Sequence, residues 1–214
     1  MGIETSAPII SPKAMALNFT NEGGVGGTYR VLKNITGLWL IQECQRIWAR
    51  EGEELDFGEI TRQADQSMPF KAFINPDDPA FTAPENMPEA IAQSCATSGQ
   101  SLPSGIGAMA RCIFESLALK HRLVIDQLHE LRGRPLEMLH IVGGGARNKL
   151  LCQFTSNATG IPVRTGPVEA TAIGNILVQA MAHGEIADLA QLRTVVANSF
   201  ELGTLEPSDT ERWN

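Results

Sequence analysis

The chain has 214 residues, of which 43% are hydrophobic and 19% charged. That balance supports a sizeable folded core, as one large domain or two small ones, and excludes a disordered chain. Twenty-four acidic against 17 basic residues give a net charge of −7, which disfavours a general nucleic-acid binder or a basic membrane-surface protein. The apolar runs are too short to span a bilayer, and residues 1–4 do not open a signal peptide, so a cytoplasmic location is expected.

Residues 1–17 read as irregular, because Pro8 and Pro12 interrupt them. Residues 16–20 alternate loosely and suggest a strand. Residues 21–27 form a glycine-rich turn, and residues 28–32 a returning strand. A helix is expected over 34–50, with Asn34 as its N-cap and Ile35, Leu38, Trp39, Ile41 and Ile47 on its apolar face. A second helix covers 56–67. Residues 68–87 hold four prolines together with Phe70, Phe73, Ile74 and Phe81, so they predict an ordered surface loop. Proline in its first turn marks a short helix over 88–98. The longest helical pattern runs over 105–131.

The last third alternates between extended and helical patterns: strand 137–142, helix 147–159, strand 161–165, helices 168–183 and 188–199. That alternation predicts an α/β fold, with helices packed on a sheet. The four cysteines, Cys44, Cys95, Cys112 and Cys152, include no CxxC pair and are not grouped with histidines. They read as small buried apolar residues rather than zinc ligands, with a Cys95–Cys112 bridge left open.

The sharpest feature is Val142-Gly143-Gly144-Gly145-Ala146-Arg147-Asn148. A hydrophobic strand runs into three glycines and then a helix. Such a junction lets backbone N–H groups approach an anionic ligand, and the helix dipole favours it. Gly143, Gly145 and Asn148 fall at GxGxxG spacing, which marks them as nucleotide-binding candidates. The next strand ends Val163-Arg164-Thr165-Gly166, without the acid a dinucleotide site would want, and the Walker pattern is absent. Downstream, Gly166-Pro167-Val168-Glu169-Ala170-Thr171 opens another helix. Taken alone it is mainly a packing motif.

Together, VGGGARNKLL, GIPV and GPVEATAIGN resemble the C-terminal domain of the FGGY family of carbohydrate kinases. The resemblance implies an actin-like, RNase H-type lobe with a mixed sheet and packed helices. Upstream, NFTNEGG, RVLKN and GLWLIQ resemble the members of that family that act on L-rhamnulose, and the likeness runs from about residue 18 to 200. It implies a nucleotide-binding domain over 18–200, with an N-terminal segment before it and a tail over 201–214. It also implies that Asn34 contacts the sugar, that Gln42 and Gly144 contact ATP, and that Mg²⁺ accompanies the nucleotide. The implied partners are L-rhamnulose, ATP and an N-terminal kinase lobe.

The family's Asp base and its two N-terminal phosphate loops match no motif in this sequence. The chain is therefore expected to be a C-terminal half with no catalytic residue of its own and little activity alone. Its exposed inter-lobe face is expected to favour self-association. The alternatives are a lobe of a xylulose, fuculose or glycerol kinase, or a non-catalytic actin-like nucleotide-binding module.

Overall fold

The computed structural model describes all 214 residues. The chain divides into two compact units, one formed by Met1–Asn34 with Leu123–Asn214 and the other by Ile35–Arg122. A single domain over 18–200 was expected from the sequence. The division falls in the loop after residue 34 and inside the long helix.

The first unit holds two three-stranded sheets. In one, β1 (Gly2–Thr5) and β2 (Thr20–Gly23) flank β3 (Tyr29–Leu32), both antiparallel to it. Residues 1–17 are thus not irregular. They supply β1, which pairs Gly2 with Leu32 and Thr5 with Tyr29, and a short helix α1 (Pro12–Ala16) capped by Ser11. The strand expected at 16–20 lies later, at Thr20–Gly23, because Ala16 closes α1 and β3 pairs with the Asn-Glu-Gly stretch instead. Glu22 sits opposite Arg30 and accepts its guanidinium at 2.8 Å.

The second sheet is mixed. β4 (Leu139–Ile141) runs parallel to β5 (Val163–Thr165), and β6 (Gly203–Leu205) runs antiparallel to β5. Helix α6 (Lys149–Thr159) crosses between the two parallel strands and buries Leu151, Cys152, Phe154 and Ala158. It starts two residues later than expected, where the Asn148 side chain accepts from the Leu151 N–H at 3.0 Å. It stops at Gly160, which is left-handed. The tail from residue 201 is structured: it supplies β6, Ser208 N donates to Asn157 Oδ1 at 3.0 Å, and buried Trp213 lies 5.4 Å from the Phe154 ring. After β5 come α7 (Ala170–Ala182) and α8 (Leu189–Ser199), the latter capped by Asp188. α7 carries no charged residue, yet none of its 13 residues is buried, and Ile176 is 65% exposed.

The second unit is helical. α2 (Trp39–Arg50) buries Leu40, Ile41, Cys44, Ile47 and Trp48 on one face. α3 (Phe57–Gln66) is capped by Asp56, and α4 (Met87–Thr97) by Asn86. The first part of α5 (Gly105–Arg132) carries the core residues Ile113, Phe114 and Leu117. The loop at 68–86 is ordered, with Ile74 and Phe81 buried. No helix of the chain is long and apolar enough to cross a membrane.

All four cysteines are free and buried. Cys95 and Cys112 come together between α4 and α5 in hydrogen-bonding contact, without a bridge. Burial pushes the Cys44 thiol up to about 12, with the Glu43 charge adding to it, and the Cys152 thiol up to about 11. Cys95 and Cys112 are raised chiefly by burial as well. A thiol reagent at neutral pH is therefore expected to leave all four unmodified in the native chain and to count all four in denaturant. Rapid native labelling of any one would show that its surroundings open.

Candidate functional site

Because β4 and β5 are parallel, both strands release the chain at the same sheet end. Ile141 stands beside Thr165, and a glycine turn follows each strand. Ligands of α/β sheets collect at such carboxyl ends. The first turn is a short 3₁₀ helix, Gly143–Arg147, and the second runs through Gly166 and Pro167, joined by a cis peptide bond. Two bonds tie the turns together: Gly166 N donates to Ile141 O at 2.9 Å, and Gly143 N to Pro167 O at 3.3 Å. Gly143 has φ +73° and Gly166 φ +91°, so both positions need glycine for backbone reasons.

Gly144 differs. Its φ lies outside the left-handed region, and an added Cβ would meet no atom within 4 Å. Neither backbone nor neighbour demands glycine there; the position simply leaves open space above the turn. Gly145 O accepts the Asn148 N–H at 3.2 Å. Asn148 spends its side-chain oxygen on the cap of α6, and its amide nitrogen makes no bond within the chain. The turn residues and Asn148 are thus one constellation: an open glycine, a helix start and a free amide donor. Such an arrangement suits the approach of an anionic ligand to backbone N–H groups.

The other expected contacts lie elsewhere. Asn34 is not a helix N-cap. α2 begins at Trp39 after Leu38, which makes no side-chain cap bond, so Asn34 and Gln42 do not share a helix. The reason is tertiary: Thr36 N donates to Asp77 Oδ1 at 2.8 Å, which holds the lead-in out of the helix. Asn34 is exposed in the connection after β3, at the end of the first unit's N-terminal stretch, and its side chain makes no hydrogen bond. Gln42 is exposed on the first turn of α2, in the second unit.

A cavity of about 370 Å³ lies beside the two turns, lined by Ala146, Thr165, Gly166, Pro167, Val168, Glu169, Ile173, Phe200 and Glu201. Phe200 and Glu201 were not signalled by any motif, since only the pairing of β6 on β5 carries them there. At the edge of the same sheet, His140 stands across from Arg164. Partial burial, with the Arg164 and Arg193 charges, lowers its pKa from the usual histidine value. No group of three or more His, Cys, Asp or Glu side chains converges anywhere.

Residues 1–183 match the model of the FGGY family of carbohydrate kinases, C-terminal domain. The chain is 50% identical over 214 residues to a rhamnulokinase of Bacteroides thetaiotaomicron, covering 100% of this chain and 43% of that protein. It is 40% identical over 213 residues to a rhamnulokinase of Bacillus subtilis, covering 99% of this chain and 43% of that protein. Its fold is similar to that of the xylulose kinase from Rhodospirillum rubrum, with a TM-score of 0.66 at 19% identity over 97% of this chain and 40% of the other. Glycerol kinase from Plasmodium falciparum, solved with ADP, gives 0.58 at 16% identity over 86% of this chain and 36% of the other. The chain spans less than half the length of the curated relatives it matches. Its match over 183 residues, its mixed sheet and its helices agree: the chain belongs to the FGGY family of carbohydrate kinases, as a C-terminal domain of that family.

Proposed function

We propose that this chain is the nucleotide lobe of a rhamnulose kinase, an enzyme that transfers the γ-phosphate of ATP to the 1-hydroxyl of L-rhamnulose. The observation that carries the reading is the pair of tied glycine turns at the ends of β4 and β5, with open space at Gly144. Gly143, Gly144 and Gly145 bring backbone to the nucleotide, Asn148 donates from its free amide, and Gln42 supplies a further polar contact. Asn34 orients the sugar. The whole-chain likeness to rhamnulokinases at 50% identity favours L-rhamnulose over xylulose or glycerol, whose kinases share the fold at under 20%.

In this reading ATP arrives with Mg²⁺, which neutralises phosphate charge during transfer. The chain's own residues bind and orient; the base that accepts the sugar proton belongs to a first kinase lobe. The relatives carry more than half their length beyond the stretch matched here. The uncharged α7, none of whose residues is fully buried, is the surface we assign to that lobe. Four buried free thiols are in keeping with a cytoplasmic setting.

The test is binding followed by reconstitution. ATP and ADP are expected to raise the melting temperature of the chain more than tripolyphosphate at equal concentration. Ligand at about 100 times its Kd adds about 2.7 kcal/mol. The chain alone is expected to show no rhamnulose phosphorylation in a coupled assay, and co-expression with a first lobe from a related rhamnulokinase to restore it. Strong activity of the chain alone would refute the division of labour. Equal shifts with tripolyphosphate and ATP would refute an adenine site. A self-associated chain that refuses the added lobe would reassign α7 to a homomeric contact.

A further inference from the structure

The loop between α3 and α4 does more than cover the surface. Near its middle the chain makes a compact turn, in which Asp78 N donates to Asn75 O at 3.0 Å and Ala80 N to Asp78 Oδ1 at 2.8 Å. The turn presents Asp77, whose two carboxylate oxygens are used separately. Oδ2 meets Lys120 Nζ of α5 at 2.6 Å, and Oδ1 accepts from Thr36 N at 2.8 Å. Both side chains are largely covered, Lys120 at 12% and Asp77 at 28% exposure. A second bond follows close by, as Trp39 Nε1 donates to Phe81 O at 3.2 Å. Phe81 itself is buried.

Both bonds grip the same place. Thr36 lies in the lead-in to α2, Trp39 is its first residue, and the helix has no capping side chain of its own at Leu38. A helix start without a cap is free to fray or to begin a turn earlier. Here the loop supplies the restraint from outside. Gln42 stands on the first turn, with its backbone N–H bonded to Leu38 O at 3.0 Å and its side chain exposed.

We propose that Asp77 is a positioning residue for Gln42: bridging Lys120 and Thr36, it fixes where α2 begins and hence where Gln42 points. The inference rests on the reading of Gln42 as a nucleotide contact. An aspartate suits the task because its oxygens satisfy two donors on different elements. An asparagine would turn an NH₂ toward one of them.

The experiment compares the chain with D77A, K120M, K120R and Q42A. Two readouts are taken: hydrogen exchange resolved by peptide, and ADP affinity by calorimetry. In D77A, amides over 36–42 are expected to exchange about tenfold faster or more, with the rest of the 35–122 unit unchanged, from loss of a charge-assisted bond. ADP affinity should fall by about fivefold to tenfold. K120M should show the same pattern in part, and K120R should restore both readouts. Unchanged exchange over 36–42 overturns the proposal. Equal acceleration across the whole unit also overturns it, because Asp77 would then be a general stability contact. Faster local exchange without loss of ADP affinity, where Q42A does lose it, removes the positioning role. ADP affinity untouched by Q42A removes Gln42 from the nucleotide site and with it the positioning role, while exchange still decides whether Asp77 restrains the helix start.

Discussion

Replacing Arg111 by alanine is expected to destabilise the 35–122 unit by about 3–5 kcal/mol, the cost of breaking a buried ion pair from one side. Glu115 is 1% exposed on α5, and Arg111, one turn earlier, is 11% exposed with Nε at 2.7 Å from Oε1. The other carboxylate oxygen accepts from Phe70 N at 2.8 Å, where the loop takes a left-handed turn at φ +56°. Arg111 also donates to Ala64 O at 3.2 Å and to Asp65 O at 3.0 Å, so it satisfies carbonyls near the end of α3. One guanidinium thus serves a buried carboxylate and a helix terminus together. Removing it takes a directly bonded cation from the buried carboxylate and leaves two α3 carbonyls without this donor. The double variant R111M/E115M is expected to recover part of the loss, because it removes the buried charge as well as its partner. The checking measurement is urea unfolding followed by peptide-resolved exchange over 35–122, since the chain has two units and one transition cannot be assumed. A loss below about 1 kcal/mol would mean that the pair behaves as a surface ion pair in solution.

The second large effect is on binding. Gly144→Ala is expected to leave the melting temperature within the range of a neutral surface change, about 0.5 kcal/mol, because the new Cβ meets nothing. The same substitution should weaken ATP and ADP binding by about tenfold or more, since it fills space above the turn where the nucleotide backbone contact is proposed. Gly143→Ala is the contrasting control. With φ at +73° it should destabilise the turn itself, so stability and affinity fall together. Unchanged nucleotide affinity in the stable Gly144 variant would place the nucleotide elsewhere.

Several elements are legible locally because a short stretch contains all the needed information. Asp56, Asp188 and Asn148 each cap the helix that follows, and Gly160 ends α6 in the left-handed conformation that its position in the sequence suggests. The run into three glycines reads as a strand entering a glycine turn and then a helix, and Asn148 lies at that helix start. A cap or a stop is a contact over three or four residues, so propensity and spacing suffice.

What failed to show involves partners far away in the chain. Asn34 has the chemistry of an N-cap, yet Asp77, 43 residues later, takes the Thr36 amide and moves the helix start to Trp39. Gly2–Thr5 carries no strand signal strong enough to outweigh Pro8 and Pro12, and becomes β1 only because β3 offers a paired edge at Tyr29–Leu32. Phe200 and Glu201 reach the cavity beside the turns only because β6 adds to β5.

By itself, the sequence determined the α/β class, most helix spans and the glycine turn, and its motifs carried the family likeness. The first three follow from local backbone preferences and from a periodicity that any short window reveals. The tertiary structure alone decided which strands pair, where α2 begins, that the two glycine turns are tied side by side, and that Asp77 and Arg111 each serve two elements at once. Those outcomes depend on hydrogen-bond partners and buried charges brought together from distant parts of the chain. A group's best available partner is set by the fold around it, not by its neighbours in sequence.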